Sequence, residues 1–378
     1  MSKNLQKKLI LGVVSDTSLI SKRGRVFAFE PVLRELEYLS ILFHSVYWAG
    51  YLKLNKSGQN YRESKKNTIH FKGLKATGGK GFFSKLKILI NIPRYTVEIF
   101  SIIKKSDVVY SRGPSVPALI TIFLSFFVKN KIYIHKYAGG WDLRNIPFSY
   151  RFQRWILKSQ KIGYVIVSSS KNNLSHIKCF PNPCLNKYDL ESAQSSIRTK
   201  IYSNGLNLCF VGRCEEAKGI IHTIKTLNIL AEKNKLNQCI IAGNGDYNML
   251  NAMLNKSAKE RTKFIGVVSR SELNEVYLKS HFLLLPSKSE GFPKVVAEGA
   301  NFGCIPIVSM LPGFDKILKD NINAILLEQY DEIYISDRIL SIWKNNEIVQ
   351  QMALEASKFS KQFSYESFNN NFLSLIQD

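Results

Sequence analysis

The sequence predicts an α/β protein with two doubly wound, Rossmann-like domains. Short apolar strand patterns alternate with helical patterns along most of the chain, and this alternation favours parallel sheets covered on both faces. The 378 residues are enough for two domains, each with its own core. Two prolines in residues 180–183 (FPNP) interrupt both periodicities, so we expect the domains to join there.

The predicted boundaries follow from this junction and from composition. The first domain covers residues 1–183, and the polar, charged stretch 184–203 is predicted to be a linker. The second domain covers residues 204–355. Helical patterns continue over residues 356–378, which are predicted to form a separate terminal helix.

The first domain begins with an apolar strand pattern at residues 9–14. Residues 15–27 are predicted to form a loop that carries Gly24 among basic residues, and a helix is predicted from Glu30. Residues 52–85 are rich in Lys, Asn, Gly and Ser and show little periodicity. This composition indicates a mobile loop region, and loops are where binding residues commonly vary.

Polar residues follow a later strand pattern at residues 131–134. His135 comes directly after this run, and Asp142 lies a little further on. Since doubly wound sheets bind ligands at the carboxyl ends of their strands, both are candidates for contact with a substrate. A hydrogen-bonded core histidine fits the first pattern too, and a turn or helix-capping aspartate fits the second.

The second domain opens with a strand, a glycine turn and a helix. Residues 206–211 (LNLCFV) predict a buried strand, and the loop after it carries Gly212, Arg213 and Lys218 before a periodic helix begins. Two cations on a loop before a helix amino terminus suit a diphosphate group, because the helix amides add positive potential.

Two further loops of this domain are candidates for ligand contact. Gly243 and Gly245 follow the strand pattern 238–242, where the backbone of a glycine allows a ligand to come close. A simple turn is nearly as good an interpretation of these glycines. Val267 lies at the end of the strand pattern 263–268, just before a helix start.

Two glutamates flank a predicted helix start. Glu290 follows the apolar run 282–286, Pro293 suits the first helical position, and Glu298 lies inside the helix. One carboxylate just before the helix and another within it, on the same face, can accept hydrogen bonds from two hydroxyl pairs, such as those of a hexose and a ribose. Free amides at the helix start favour phosphate or hydroxyl groups. The residues between the glutamates that belong to this predicted site are Gly291, Phe292, Pro293 and Lys294.

The segment 290–308 (EGFPKVVAEGANFGCIPIV) resembles the donor-site motif of family 4 glycosyltransferases. The resemblance implies the GT-B fold, in which two Rossmann-like domains face a central cleft. It also implies that the C-terminal helix, residues 356–378, crosses back to the first domain. It implies a retaining enzyme in which Arg213 and Lys218 hold the donor diphosphate, Glu290 orients the hexose and Glu298 holds the ribose. Val267 would lie near the nucleotide base.

The resemblance is weaker in the first domain. There it implies that a glycine loop after the first strand closes over the donor phosphates, but this chain has only Gly24 where two glycines are common. A solvated basic loop is an equal alternative. His135 would face the transferred sugar, and Asp142 would contact the acceptor. The stretches 134–142 and 150–158, with an amphipathic face around Trp155, are similar to a surface-polysaccharide branch of the family, which implies a lipid-linked saccharide acceptor in capsule or lipopolysaccharide synthesis.

The charge balance favours an anionic partner. The chain has 53 basic and 29 acidic residues, a net charge of +24. An anionic inner-membrane surface would attract such a protein. Genomic base composition would also account for many lysines. Nucleic acid is disfavoured because the lysines are scattered and no recognition motif accompanies them.

The cysteines and carboxylates indicate neither disulfides nor a metal site. Six cysteines show no CxxC pairs and no histidines at ligand spacing, which is typical of a cytosolic protein with reduced thiols. No DxD motif stands beside a strand. We therefore expect no metal and no cofactor, with a UDP- or GDP-sugar as substrate and the protein in the cytoplasm or peripheral on the inner membrane face.

Three functions stay open at this point. The first is the glycosyltransferase just described. The second is a sugar-nucleotide epimerase on the same two-domain fold, which would need no acceptor. The third is a basic protein that binds nucleic acid or membrane without catalysis.

Overall fold

A computed structural model describes residues 8–54, 61–76, 82–142, 146–168, 174–200, 202, 205–290, 292–311, 314 and 317–377. The chain divides into two compact units. The first unit is Met1–Pro181 together with Tyr365–Asp378, and the second is Asn182–Ser364. Each unit has a parallel sheet and a hydrophobic core of its own.

In the described part of the first unit, nine strands form one sheet. Seven of them are parallel, in the order β5-β3-β1-β6-β7-β8-β9, and β2 and β4 add an antiparallel edge. The strands are β1 (Ile10–Lys22), β2 (Arg25–Phe29), β3 (Ser45–Leu54), β4 (Tyr61–Glu63), β5 (Ile69–Lys75), β6 (Val108–Gly113), β7 (Ile132–Tyr137), β8 (Gly163–Val167) and β9 (Ile177–Cys179).

Helices cover both faces of this sheet, because successive strand residues alternate between the faces. Tyr133 packs in one core with α2 (Phe82–Lys105) and α3 (Val116–Ser125). The next residue, Ile134, packs in another core with α1 (Glu30–Leu39) and α13 (Tyr365–Gln377). Helix α4 shares a core with α3. The helices of this unit are α1 (Glu30–Leu39), α2 (Phe82–Lys105), α3 (Val116–Ser125), α4 (Phe148–Ser159) and the last helix of the chain, α13 (Tyr365–Gln377).

The beginning of the first unit differs from the prediction. β1 continues through the predicted loop, because Leu19 and Ile20 are buried and add a second apolar stretch after a bulge between Val14 and Ser18. The chain turns at Gly24 and pairs back as β2. Gly24 therefore lies in the turn of an antiparallel hairpin and not directly behind a parallel strand. The predicted loop region 52–85 likewise contains β4, β5 and the start of α2.

The second unit has a parallel sheet of six strands in its described part, in the order β12-β11-β10-β13-β14-β15. The strands are β10 (Leu206–Val211), β11 (Leu236–Ala242), β12 (Thr262–Gly266), β13 (Phe282–Leu285), β14 (Ile305–Ser309) and β15 (Ile325–Leu327). The helices are α5 (Lys187–Thr199), α6 (Ile220–Glu232), α7 (Tyr247–Ala252), α8 (Lys256–Arg261), α9 (Arg270–Lys279), α10 (Lys294–Asn301), α11 (Glu332–Trp343) and α12 (Asn346–Ser360).

The stretch predicted as a linker, 184–203, belongs to the second unit and contains α5. Its helix begins with a capping box, in which the Asn186 side chain accepts from the Asp189 amide at 2.9 Å and Asp189 accepts from the Asn186 amide at 2.9 Å. The second unit ends at Ser364, beyond the predicted end at 355, because α12 continues to Ser360 and Phe359 packs against the core of this unit. The terminal helix α13 packs in the first unit.

Candidate functional site

The second sheet reverses its strand order at β10. From β10 the chain adds β11 and β12 on one side and then returns to add β13 on the other, so β10 and β13 flank a topological switch point. Ligands of open parallel sheets bind outside the carboxyl ends of the strands at such a point. The loops that follow these two strands are 212–219 and 286–293. Of the residues that the sequence predicts for a donor site, these loops hold Gly212, Arg213, Lys218, Glu290, Phe292 and Pro293.

Lys218 and Glu290 form an ion pair at this switch point. The Lys218 ammonium contacts Glu290 Oε1, and the Ser287 hydroxyl donates to the same carboxylate oxygen at 3.2 Å. The Lys218 side chain is 23% exposed and the Glu290 side chain 11% exposed. The pair is therefore sheltered but open on one side, and the structure joins two residues that lie far apart in the sequence.

A close backbone contact fixes the two loops against each other. Gly219 has a positive φ of 77°, and a Cβ atom there would lie 2.0 Å from the carbonyl oxygen of Pro286. Only glycine fits this position. The Lys288 amide donates to Ala217 O at 2.9 Å and ties the loops together again. The separation of Lys218 and Glu290 is thus set by the backbone.

Arg213 is placed differently from Lys218. Its side chain is 69% exposed, and its Nη1 lies 2.8 Å from Glu215 Oε1 on the same loop. Lys288 pairs in a similar way with Glu216, on the solvent side of the site. A surface pair of this kind contributes little stability and exchanges easily for another anion.

The two predicted glycine positions after β11 are required by packing. A Cβ at Gly243 would lie 1.7 Å from Gly212 O, and one at Gly245 would lie 2.4 Å from the Cys214 Cβ. These glycines hold the loop after β11 against the loop after β10. At Gly212 itself, no atom lies within 4 Å of such a Cβ, so its hydrogens face open space. Val267 is also open to solvent, with 68% exposure.

The start of α10 is one residue later than predicted. Pro293 is the N-cap residue, and Lys294 is the first helical residue. Phe292 is half-buried and stacks on Phe363 with the ring centroids 4.6 Å apart, so its side chain belongs to a small aromatic core. Gly291 lies outside the described residues.

Glu298 has partners that the sequence did not indicate. Arg270 Nη1 lies 3.0 Å from Glu298 Oε1, and the same guanidinium donates to Asp189 Oδ2 at 2.8 Å and to Cys184 O at 2.9 Å. Burial opposes the charge of Arg270, but Glu298 and Asp189 outweigh it and raise the pKa of Arg270 above its usual value. Glu298 is thereby held in one orientation with its side chain 11% exposed.

A signal for Arg270 does exist in the sequence. It is the first residue of a helix that begins with a Ser269–Glu272 capping box. A cation is unfavourable at a helix amino terminus, because the helix dipole is positive there. An arginine directly after a strong N-cap therefore indicates a compensating carboxylate nearby.

His135 is buried in the first unit, which favours the core-histidine alternative over its predicted contact with a sugar. β7 continues to Tyr137, so His135 is inside the strand, and its side chain is 1% exposed. Ser111 Oγ lies 2.7 Å from its Nδ1. Burial lowers the pKa of His135 from 6.5 to about 4, so the ring is neutral near pH 7. The core-histidine alternative fits this position.

The neighbouring Lys136 points to the other face of the sheet and is buried too. Its ammonium lies 3.0 Å from both carboxylate oxygens of Glu35, which also pairs with Arg112 and accepts from the Tyr110 hydroxyl at 2.9 Å. Burial opposes the charge of Arg112, but Glu35 reverses the effect and raises its pKa. The first unit thus contains a buried ion cluster at the ends of β6 and β7. Asp142 lies in an exposed turn beyond it.

Two kinds of feature are absent from the part of the chain that the structure describes. No group of three or more His, Cys, Asp or Glu side chains there is arranged to hold a metal ion. No helix in the described part of the chain is both long and apolar enough to cross a bilayer.

One known family model matches the second unit, and several curated proteins match part of the chain. Residues 193–359 match the sequence model of the family "Glycosyl transferases group 1". The chain is 25% identical over 198 residues to an uncharacterized glycosyltransferase of Methanocaldococcus jannaschii, an alignment that covers 48% of this chain and 55% of that protein. It is 26% identical over 176 residues to the GDP-mannose:cellobiosyl-diphosphopolyprenol alpha-mannosyltransferase of Xanthomonas campestris, covering 45% and 41%.

A longer alignment joins the chain to the O-antigen biosynthesis glycosyltransferase WclY of Escherichia coli, with 23% identity over 307 residues, or 71% of this chain and 80% of that protein. Apart from such longer matches, the chain spans about half the length or less of the first curated relatives.

Solved structures match nearly the whole chain. Sucrose-phosphate synthase of Thermosynechococcus elongatus superposes with a TM-score of 0.68 at 15% identity, covering 98% of both chains. HepE of Anabaena, solved in complex with UDP, gives 0.67 at 12% identity and covers 98% of this chain and 99% of that one. These likenesses confirm the predicted GT-B fold of two Rossmann-like domains.

Proposed function

We propose that this chain is a retaining glycosyltransferase of family 4 type, which transfers a hexose-type sugar from a UDP- or GDP-sugar. Its second unit matches the group 1 glycosyltransferase family, and the chain has a GT-B fold. The observation that carries the proposal is the Lys218–Glu290 pair at the switch point of the second sheet. A cation and a carboxylate side by side match the two chemically different parts of a nucleotide sugar, its diphosphate and its hydroxyls.

Donor binding exchanges the contacts of this pair. The diphosphate takes the Lys218 ammonium, and hexose hydroxyls donate to Glu290. Arg213, which pairs with Glu215 on the surface, turns toward the same diphosphate as a second cation. Glu298, oriented by Arg270, accepts from the ribose hydroxyls. None of these four side chains has to change its protonation state.

The proposed chemistry needs positioning and charge stabilisation more than proton transfer by the protein. An acceptor oxygen forms a bond to the anomeric carbon on the face from which the diphosphate leaves, and the bond from that carbon to the diphosphate oxygen breaks. The acceptor proton passes to a phosphate oxygen of the leaving group. Lys218 and Arg213 stabilise the charge that develops on the diphosphate.

The proposed acceptor is a lipid-linked saccharide of a surface polysaccharide, whether capsule or lipopolysaccharide. Two relatives support this class by name, one acting on a cellobiosyl-diphosphopolyprenol and one in O-antigen biosynthesis. The net charge of +24 supports a place at the anionic inner face of the cytoplasmic membrane, with the protein otherwise in the cytoplasm. UDP is the nucleotide bound in a structure of similar fold, and GDP-mannose is the donor named for a relative.

The test is a transfer assay with UDP- and GDP-hexoses and a polyprenyl-diphosphate disaccharide in detergent. We expect a glycosylated product with the anomeric configuration of the donor. Glu290→Gln and Lys218→Ala should each lower the rate by roughly a hundredfold or more, because each removes a contact to the reacting sugar or its leaving group. Lys288→Ala, which removes a nearby exposed cation, is the matched control and should stay within about twofold of wild type.

Two results would contradict the proposal. Conversion of the nucleotide sugar into its epimer, with no acceptor consumed, would assign the site to an epimerase. Near wild-type transfer by Glu290→Gln or Lys218→Ala would show that the pair is not the donor site.

A further inference from the structure

One face of the first unit exposes a concentration of aromatic side chains. Helices α2, α3 and α4 cover this face and bury their inner sides against the sheet. Of the seven exposed Phe, Tyr and Trp side chains among the described residues, six lie on α3, on α4 or directly after α3; the seventh, Tyr188, is in the second unit. The six are Phe123, Phe126, Phe127, Phe148, Tyr150 and Trp155.

Helix α4 shows the pattern most clearly. Phe148, Phe152 and Trp155 are spaced so that they share one face of the helix, and the first and last are 81% and 62% exposed. Phe152 stacks on Trp155 with ring centroids 6.0 Å apart. The opposite face carries Ile156 and Leu157, which are buried in the core. The helix is therefore amphipathic in the ordinary way, but its outer face is aromatic where solvated polar residues would be expected.

Basic residues flank the aromatic side chains. Arg151, Arg154 and Lys158 lie beside them on α4, and together with Phe148, Phe152 and Trp155 they line a shallow groove of about 380 Å³. Between residues 143 and 181 the chain has seven Lys or Arg residues and no Asp or Glu. The partner that complements this charge is anionic.

We propose that the outer surface of α2, α3 and α4 docks on an anionic lipid membrane, with Phe148 and Trp155 in the headgroup region and the exposed Arg151 against lipid phosphates. Aromatic rings are stabilised at a membrane interface, and basic side chains on the same helix add attraction to anionic lipids. The inference deepens the proposed function, since it rests on a lipid-linked acceptor and identifies the surface that brings the enzyme to it.

Single-stranded nucleic acid would also bind aromatic and basic side chains together. The membrane is favoured because α2 in the same layer exposes Leu89, Ile90 and Val97, by 61%, 69% and 68%. Aliphatic side chains offer a base neither a stacking plane nor a hydrogen bond, whereas they are stabilised at the boundary of the acyl chains.

The test uses the full chain and vesicles of phosphatidylcholine with or without roughly a third phosphatidylglycerol. We expect co-sedimentation with the anionic vesicles, weakened by salt, and little with neutral ones. Trp155 reports insertion directly, because Trp48 and Trp141 are buried and Trp343 is partly buried. Its emission should shift to the blue on the anionic vesicles, and the shift should be absent in Trp155→Phe.

Variants of this surface distinguish its own contribution to vesicle binding from that of the net charge of the whole chain. Phe148→Ser with Trp155→Ser should reduce vesicle partitioning about tenfold or more, and Arg151→Glu should reduce it on anionic vesicles alone. The matched control is Ile333→Ser with Ile348→Ser, which changes two apolar residues of the second unit that are 59% and 42% exposed, and it should bind as wild type does. All these side chains are on the surface, so the melting temperature should change little.

Three results would overturn the proposal: wild-type protein that ignores anionic vesicles, a serine variant that binds them like wild type, or Trp155 emission that responds to an oligothymidylate and not to vesicles. A thermal-shift measurement of nucleotide-sugar binding, made on the same variants, tests the proposed donor site separately from the docking surface. Loss of vesicle binding with an unchanged donor-induced shift supports the docking surface. An absent donor shift with vesicle binding intact would contradict the proposed donor site and leave the docking surface standing.

Discussion

The carboxyl ends of the strands carry polar residues in both units, but the two units use them differently. In the second unit, Lys218 and Glu290 meet in loops beyond the strands and stay partly open to solvent. In the first unit, His135 and Lys136 lie within β7, and both are buried, one against Ser111 and the other against Glu35. The pair in the second unit can exchange partners with a ligand. In the first unit, His135 Nδ1 and the Lys136 ammonium already have protein partners, and His135 Nε2 is buried without a hydrogen-bond partner.

The difference comes from where each strand ends. β13 ends at Leu285, so the residues from Pro286 onward are free to form a loop at the switch point. β7 continues past its apolar run to Tyr137, and each of its last residues is covered by a helix layer. A polar residue at the end of an apolar pattern is therefore a site candidate only where the strand itself has ended.

The largest effect on stability should come from the buried cluster of the first unit. Glu35→Gln leaves Lys136 and Arg112 buried without their shared carboxylate, which should cost about 3–5 kcal/mol of unfolding free energy. Glu98→Gln, on α2, removes the carboxylate of a more exposed pair with Lys72 and should cost less than about 1 kcal/mol. Urea denaturation measures the loss of unfolding free energy in each variant. Equal losses would show that the buried cluster contributes no more to stability than the exposed pair.

His135 should make the protein sensitive to acid. Its folded-state pKa of about 4 lies below the ordinary 6.5, so the unfolded chain binds a proton more readily between these values. Stability should therefore fall as the pH drops from about 6.5 to about 4, by up to about 3 kcal/mol from this group. Denaturation at several pH values should show a shallower decline in His135→Gln, while the exposed control His70→Gln should keep the wild-type decline. A His135→Gln profile parallel to wild type would place the acid sensitivity elsewhere.

Arg270 sharpens the comparison with a smaller effect. If Glu298 contacts the ribose, Arg270→Lys should raise the KM for the nucleotide sugar about tenfold with little change in kcat. The planar guanidinium of Arg270 binds Glu298 and Asp189 at once, and the single ammonium of a lysine cannot hold both in this geometry. Arg338→Lys is the matched control, since Arg338 pairs with Asp320 in the same unit. If Arg270→Lys and Arg338→Lys lower the melting temperature and raise the KM to the same extent, Arg270 acts only on stability.

The sequence predicted the second unit far better than the first. Loops with strong local signals, such as the glycine turn before Lys218 and the proline helix start after Glu290, lie within a residue of their predicted places. The pairing of Lys218 with Glu290 could not be read from the sequence directly, but the strand order that brings them together follows from the predicted fold.

The first unit was harder to predict because its decisive contacts join distant segments. The hairpin of β1 and β2 depends on Leu19 and Ile20, which are buried in the core. Because most of their sequence neighbours are polar, the sequence pattern does not predict a strand there. The ion cluster joins Glu35 on a leucine-rich helix to Arg112 and Lys136 on two strands. Each residue looks like a surface charge in its own segment, and only the packing of α1 on the sheet shows that all three are buried.

The most direct test of the contrast between the units is calorimetric titration of nucleotide sugar and free nucleoside diphosphate into wild type, Glu290→Gln and His135→Gln at pH 7.5. We predict that Glu290→Gln weakens nucleotide-sugar binding about tenfold, or about 1.4 kcal/mol, and leaves the free diphosphate nearly unaffected. His135→Gln should change neither. Weakened sugar-nucleotide binding by His135→Gln, with wild-type binding by Glu290→Gln, would contradict the assignment of the donor site to the second unit.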